Sequence, residues 1–369
     1  MSNNQPIPFV CLPYLPLMSS HRISQWLILP VGQYTGPWIS EIYKKRAEQL
    51  LKHFVWANGM AAKDIPIVVS AENGASGIVP DESDGRALQL AIDFASIDQS
   101  MVLPGDPLPR LLTTDNTELQ KWPLSDDGYI AYPTGLMVRT THGGWNLDQN
   151  DWKVPCPLDV YMPNVKVSLH DELATAIYET IQKGYADPAN TTERRFTITL
   201  GWWAKSWRNS SSVSWEDRIV LLKTGFEALL DESSTPKASK LLRQLFESAA
   251  KHAGEEVKGL LWTQAEIPSR DHPFTTPTYQ GTKVTDLEHW FLSFGSARND
   301  IIHQGAAATL SYSEADSAYN GSFVMVGERV LREALKMQLE LLGYGGLWKT
   351  GLDRAIHTAH AEFPEEVSG

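Results

Sequence analysis

Near residue 165 the sequence changes texture, and no single-layer architecture accommodates both halves. Before that point one amphipathic helix is clear, WISEIYKKRAEQLLKHFVWANG (38–59), closed by Asn58 and Gly59. Around it lie short runs with strand character, QWLILPV (25–31) and IPIVVS (65–70), set between Pro- and Gly-rich breaks. After it come long segments with apolar residues at helical spacing: LHDELATAIYETIQKG (169–184), ERRFTITLGWWAKSWRNS (193–210) and KASKLLRQLFESAAKHA (237–253). Ser214 with Asp217 reads as a capping box opening EDRIVLLKTGFEALLDES, Thr285 with Glu288 as a second, and the last strong helix stops at Gly343. The expected fold class is α+β: an N-terminal mixed α/β or β-rich module over 1–165, an all-α bundle over 166–350, and a tail over 351–369.

A chain of 369 residues, 42% apolar and 21% charged, can bury the cores of two such units. Its two cysteines, Cys11 and Cys156, are far apart and form no metal-ligand spacing, which points to a reducing compartment. The start MSNNQPIPFVCLPYLPL has no basic leader, and prolines break its apolar stretch, so it does not read as a signal peptide. With no run near the roughly 20 apolar residues of a membrane span, a cytoplasmic protein with no membrane partner is expected.

The formal net charge of −12 argues against a chain-wide surface for polyanions. The acid is unevenly placed. Residues 190–345 hold 17 basic and 19 acidic side chains, against 15 and 25 elsewhere, so the helical half can still present a local basic site.

That half contains ARNDIIHQG (297–305). At about 100° per residue from Leu287, the side chains of Trp290, Phe291, Phe294, Ala297 and Ile301 fall on one apolar stripe between about 280° and 40°. Arg298 falls inside that stripe, at about 20°. A guanidinium keeps its charge, so there it must meet a carboxylate, a cluster of carbonyls or a bound anion. Asn299 and His303 lie near about 120° and 160°, on another face, with His303 in the last turn where the helix dipole favours imidazolium. Arg298 and His303 therefore diverge by about 140° on a regular helix. Either the last turn unwinds, or the two side chains meet equivalents from a second copy.

An Arg followed by His five to seven residues later occurs three times, from Arg46 to His53, Arg298 to His303, and Arg354 to His360. Only the middle one places a polar amide or acid directly after the arginine. That pattern resembles the signature of the HEPN superfamily, and more narrowly the Apea-like HEPN group. RIVLLKTGFEALL (218–230) looks like that group's second helix, RNDIIHQG (298–305) its motif helix and ERVLREALKMQLELLG (328–343) its closing helix. The resemblance covers residues 190–345, and none is found for residues 1–165.

The resemblance implies a metal-independent endoribonuclease, of the kind found in bacterial toxins and antiviral defence, acting on RNA as a homodimer without cofactor or metal. Arg298 and His303 carry over as catalytic, with Asn299 orienting the histidine or the phosphate and Asp300 in support. Glu227 either pairs with Arg298 or is an i,i+4 partner of Lys223 on its own helix. The chemistry suits the residue types, because a 2′-hydroxyl attacking its own phosphodiester needs a base, an acid and positive charge on the phosphorane. The alternative is an inert bundle of the same kind that binds nucleotide or mediates dimerisation. Position 305 is glycine, so the tyrosine that some relatives carry two residues after the histidine is missing.

Other candidates are weaker. His357 and His360 have metal-ligand spacing but lack an evident third ligand. Trp202, Trp203 and Trp207 could stack on bases, although Trp203 and Trp207 at i,i+4 read as helical core. Phosphate-binding glycine loops, dinucleotide fingerprints, nucleophile elbows and zinc-protease motifs are missing.

Overall fold

The computed structural model describes residues 7–56, 59–100, 114–124, 137–140, 143–146, 153–155, 167–208, 213–254, 264–266, 283–303 and 314–347. Gln304, Gly305, Cys156, the Pro-rich stretch 267–282 and the tail with His357 and His360 lie outside the described residues. The chain is a mixture of helices and a small antiparallel sheet, and divides into two compact units at Gln182 and Lys183. No helix among the described residues is long and apolar enough to cross a membrane.

The first unit is built on strands β1 (Ile7–Cys11), β2 (His21–Ile23) and β3 (Trp26–Pro30), helix α1 (Glu41–Leu51), the short β4 (Phe54–Val55), β5 (Pro66–Ser70), helix α2 (Glu82–Ser100) and β6 (Gln120–Leu124). Five of the strands form an antiparallel sheet in the order β2-β3-β5-β1-β6. The β3–β5 register sets Ile28 opposite Val68, and the β1–β6 register sets Phe9 opposite Trp122. All five residues of β5 are buried, so this central strand is covered on both faces, and its sequence is apolar up to Ser70. Tyr43, Ala47, Leu50 and Leu51 of α1 join Phe9, Phe54, Ile67 and Trp122 in one core. Ser40 caps α1 by accepting a hydrogen bond from the Tyr43 amide. Two further pairings occur, a hairpin of β7 (Met137–Thr140) with β8 (Gly143–Asn146), and β9 (Val154–Pro155) parallel to β4.

Helix α3 (Asp171–Ala186) belongs with this unit through Gln182. The division therefore falls later than the change of texture near residue 165. The reason is a set of polar ties to residues about 100 to 150 positions earlier. The Tyr178 hydroxyl donates to Asp84 Oδ1 at 2.6 Å, Gln182 Nε2 donates to the same oxygen at 2.8 Å, and Trp26 Nε1 reaches the Tyr178 oxygen at 3.4 Å.

Asp93 of α2 is buried and accepts hydrogen bonds from Gln89 Nε2 at 2.6 Å and from the Thr117 hydroxyl. Burial pushes its carboxyl up to about 8, Asp115 and Glu118 adding in the same direction against those two hydrogen bonds. The folded value lies above the unfolded one, so this group's contribution is present in full below the ordinary carboxylate range of about 4 and is lost as pH rises through about 8. Asp93→Asn is expected to raise the melting temperature at pH 8 and to leave it near wild type at pH 4.5. Parallel melting curves across that range check this, and an identical pH profile for both proteins would refute it.

The second unit is helical: α4 (Thr191–Ser206), α5 (Trp215–Leu230), α6 (Thr235–His252), α7 (Asp286–His303) and α8 (Glu314–Leu341), with a hairpin of β10 (Gln264–Glu266) and β11 (Lys283–Thr285) leading into α7. Helix α8 packs against α4, α5 and α6, and α7 packs against α5 and α6. The Ser214 and Asp217 capping box opens α5. Gly343 takes a φ of +95°, where glycine avoids the steric penalty other residues meet, and ends the last helix. Thr285 is the last residue of β11 and directly precedes α7, and the Glu288 carboxylate stands 3.4 Å from Arg243 Nε of α6. Gly225 lets α5 approach α8, since a Cβ there would stand 2.9 Å from Leu331 Cδ2.

Buried charge is the unusual feature of this bundle. Glu328, Arg332, Glu333, Lys336 and Glu340 of α8 are all buried. Lys336 Nζ lies 2.9 Å from Glu333 Oε1, and His252 Nδ1 lies 3.2 Å from Glu340 Oε1. Arg218 of α5 donates through Nη1 and Nη2 to the Ser206 and Arg208 carbonyls at 2.7 Å each, and stands 3.9 Å from Glu328. A single guanidinium thereby binds the end of α4 to the start of α5 and faces α8.

Candidate functional site

Helix α7 presents its apolar stripe as its periodicity dictates. Leu287, Phe291 and Phe294 are buried, and Trp290, Ala297 and Ile301 are half-buried. Phe226 of α5 meets this stripe with ring centroids 5.1 Å from Phe291, 6.2 Å from Phe294 and 6.1 Å from Trp290. Trp290 stacks on Phe294 at 5.1 Å. These contacts fix the rotation of α7 about its axis, and with it the direction in which Arg298 leaves the helix.

Arg298 is half-buried. Its Nη1 donates to Asn299 Oδ1 at 3.1 Å, while its Nε is buried and makes no hydrogen bond among the described residues. No carboxylate pairs with it among the described residues. Glu227 takes the local of its two possible roles, with Oε1 2.9 Å from Lys223 Nζ.

Lys223 is the residue that sequence reasoning passed over, named only as a surface partner of Glu227. Its side chain is 1% exposed, and its ammonium lies 5.2 Å from the centre of the Phe291 ring. Burial pushes the ammonium below its ordinary range. The Glu227 carboxylate opposes that shift, and the charge of Arg298 adds to it. The signal was available, since Lys223 falls four residues after Ile219 and three before Phe226, on the buried face of α5. The structure thus brings together two cations, Lys223 and Arg298, with one carboxylate, Glu227, under an aromatic wall. Such an imbalance favours an anion able to accept hydrogen bonds.

Asn299, Asp300 and His303 are exposed, as is Ile302 beside the histidine. The helix stays regular through His303, so the last turn does not unwind. Arg298 and His303 accordingly leave the axis about 140° apart and displaced by about 7.5 Å along it. Within one chain the structure joins Arg298 to Asn299 and Lys223 to Glu227, and no hydrogen bond joins His303 to Arg298 among the described residues.

The tryptophan cluster divides as its spacing suggested. Trp203 and Trp207 are buried 5.9 Å apart, and the half-buried Trp202 carries Lys205 Nζ 4.2 Å above its ring. Among the described residues, no three His, Cys, Asp or Glu side chains gather as ligands for a metal ion. Neither a protein-family model, nor a curated protein, nor a solved structure matches this chain.

Proposed function

We propose that the helical unit is an endoribonuclease of the HEPN kind, cleaving RNA without a metal by attack of a 2′-hydroxyl on the adjacent phosphodiester. The observation that carries this reading is Arg298: a half-buried guanidinium set in an apolar stripe, without a carboxylate partner among the described residues and near the buried ammonium of Lys223. In this reading Arg298 holds the scissile phosphate and stabilises the charge that develops on the phosphorane. Lys223 adds positive potential from beneath, and Asn299 fixes the guanidinium through its Oδ1.

His303 supplies proton transfer, for which an imidazole at a helix C-terminus suits either direction. Because α7 is regular to its end, a histidine and an arginine reach one phosphate when two chains place their α7 ends together. The active species is a homodimer whose site is shared, and Asp300, exposed on the same final turns, supports the contact or the orientation of His303. The protein works in the cytoplasm, and defence or toxin activity is the setting in which such a nuclease operates.

The test is cleavage of a mixed RNA pool in excess chelator, with the product ends read by mass. Fragments ending in 2′,3′-cyclic phosphate are expected, because internal transesterification leaves no other first product. Fragments with 3′-hydroxyl ends would point to hydrolysis by another mechanism. Binding of the RNA without cleavage would favour the inert bundle.

A further inference from the structure

The first unit holds a second constellation, independent of the ribonuclease reading. Leu17 bridges to Val167, and the Met18 amide donates to the Val167 carbonyl at 3.0 Å, which brings the chain just before β2 alongside the start of α3. His21, the first residue of β2, is 5% exposed, and its Nδ1 stands 2.7 Å from Asp171 Oδ1. The other oxygen of that carboxylate accepts the Arg22 amide at 3.1 Å. On the far side of the ring, Nε2 lies 3.3 Å from Ser19 Oγ, and the Leu169 amide donates to it at 3.4 Å.

These contacts decide the tautomer. A carboxylate accepts only, so Nδ1 carries the proton, and a backbone N–H pointing at Nε2 requires a lone pair there. The Ser19 hydroxyl shares the single Nε2 lone pair with the Leu169 amide, which must give way when Nε2 takes up the serine proton, and Asp171 fixes the orientation of the ring. Ser19 is exposed, so its oxygen is open to substrate. The amide N–H groups of Ser19 and Ser20 make no hydrogen bond among the described residues and can receive a developing oxyanion. Met18, 57% exposed next to the serine, offers an apolar contact for an acyl or alkyl group.

We infer that Ser19, His21 and Asp171 form a nucleophile, base and orienting acid that hydrolyse small carboxylic esters. Ser19 Oγ bonds to the ester carbonyl carbon as its proton passes to His21 Nε2. The tetrahedral adduct collapses by breaking the bond to the alcohol oxygen, which leaves with that proton. A water molecule, giving a proton to the same nitrogen, then attacks the acyl-serine. The carboxylic acid departs, and the proton returns to Ser19.

The test treats the full chain with a fluorophosphonate probe and follows p-nitrophenyl acetate hydrolysis. One phosphonyl adduct per chain, on the peptide containing Ser19, is expected. Ser19→Ala should abolish the adduct and lower hydrolysis by about a hundredfold or more while its melting curve stays near wild type. Asp171→Asn, which permits the wrong tautomer, should lose a comparable factor in turnover. If His21 and Asp171 serve only to tie β2 to α3, His21→Gln will lower the melting temperature while labelling of the wild type never exceeds that of Ser19→Ala, and the inference fails. Should His21→Gln not fold, the probe adduct and Ser19→Ala still decide the outcome.

Discussion

Arg298→Ala is expected to lower RNA cleavage by about a thousandfold, with the protein still folded. The magnitude follows from what the guanidinium does in the proposed site. Removing one preorganised donor from a developing oxyanion costs on the order of a hundred- to a thousandfold in turnover, and a guanidinium supplies paired donors together with a full charge. Arg298→Lys is expected to recover little, because an ammonium cannot make the two parallel hydrogen bonds. Stability should move the other way or hardly at all, since the side chain is half-buried and its Nε makes no hydrogen bond among the described residues. His303→Ala, at an exposed position, is expected to cost on the order of a hundred- to ten-thousandfold in cleavage through lost proton transfer. Single-turnover kinetics with saturating RNA measure both, and retention of full activity by either variant rejects the proposed site.

Phe226→Ala is expected to destabilise the helical unit by about 3–5 kcal/mol, the range for truncating a fully buried aromatic ring. Phe226 has 0% exposure and meets three aromatic side chains of α7, so no exposed loop can close the cavity its removal leaves. It is the contact through which α5 sets the rotation of the motif helix. Denaturant unfolding of the full chain, followed by tryptophan fluorescence, gives the change. A loss under about 1 kcal/mol would mean that the neighbouring rings collapse into the space, contrary to this account. RNA cleavage should fall more steeply than the folded fraction, because a tilted α7 misdirects Arg298.

What the sequence disclosed was local. The stripe of Leu287, Phe291 and Phe294 could be read from periodicity because one helix face met one continuous core. The Ser214 and Asp217 capping box was equally legible, both partners lying within four residues. Contacts across long separations were not. Strands β1 and β6, which no local pattern singled out, carry Pro8 and Pro123 facing each other in register where β6 forms the edge of the sheet. Helix α2 opens with Asp81 accepting the Asp84 amide and with acidic Glu82 and Asp84 in its first turn, but Gly85 interrupts the pattern, and burial of Leu88, Ala91, Ile92 and Ala95 sustains it. Helix α3 has the same amphipathic look as the helices that follow it, and its long-range ties, among them those to Asp84, His21 and Trp26, place it with the first unit. In the candidate site, Arg298 was legible because a charge interrupted a stripe. The role of Glu227 was open because both partners were within reach, and geometry joined it to Lys223.

The ionic side chains enclosed along α8 give that helix a single permitted depth. An all-leucine helix can slip one turn, about 5.4 Å, and find equivalent packing. A slip here would carry Glu328 away from Arg218 and Glu340 away from His252, stranding charges in apolar surroundings. The closing helix therefore acts as a keyed shaft rather than a smooth piston, and substitutions that replace its charges with aliphatic residues should yield bundles that are tougher but less uniquely threaded.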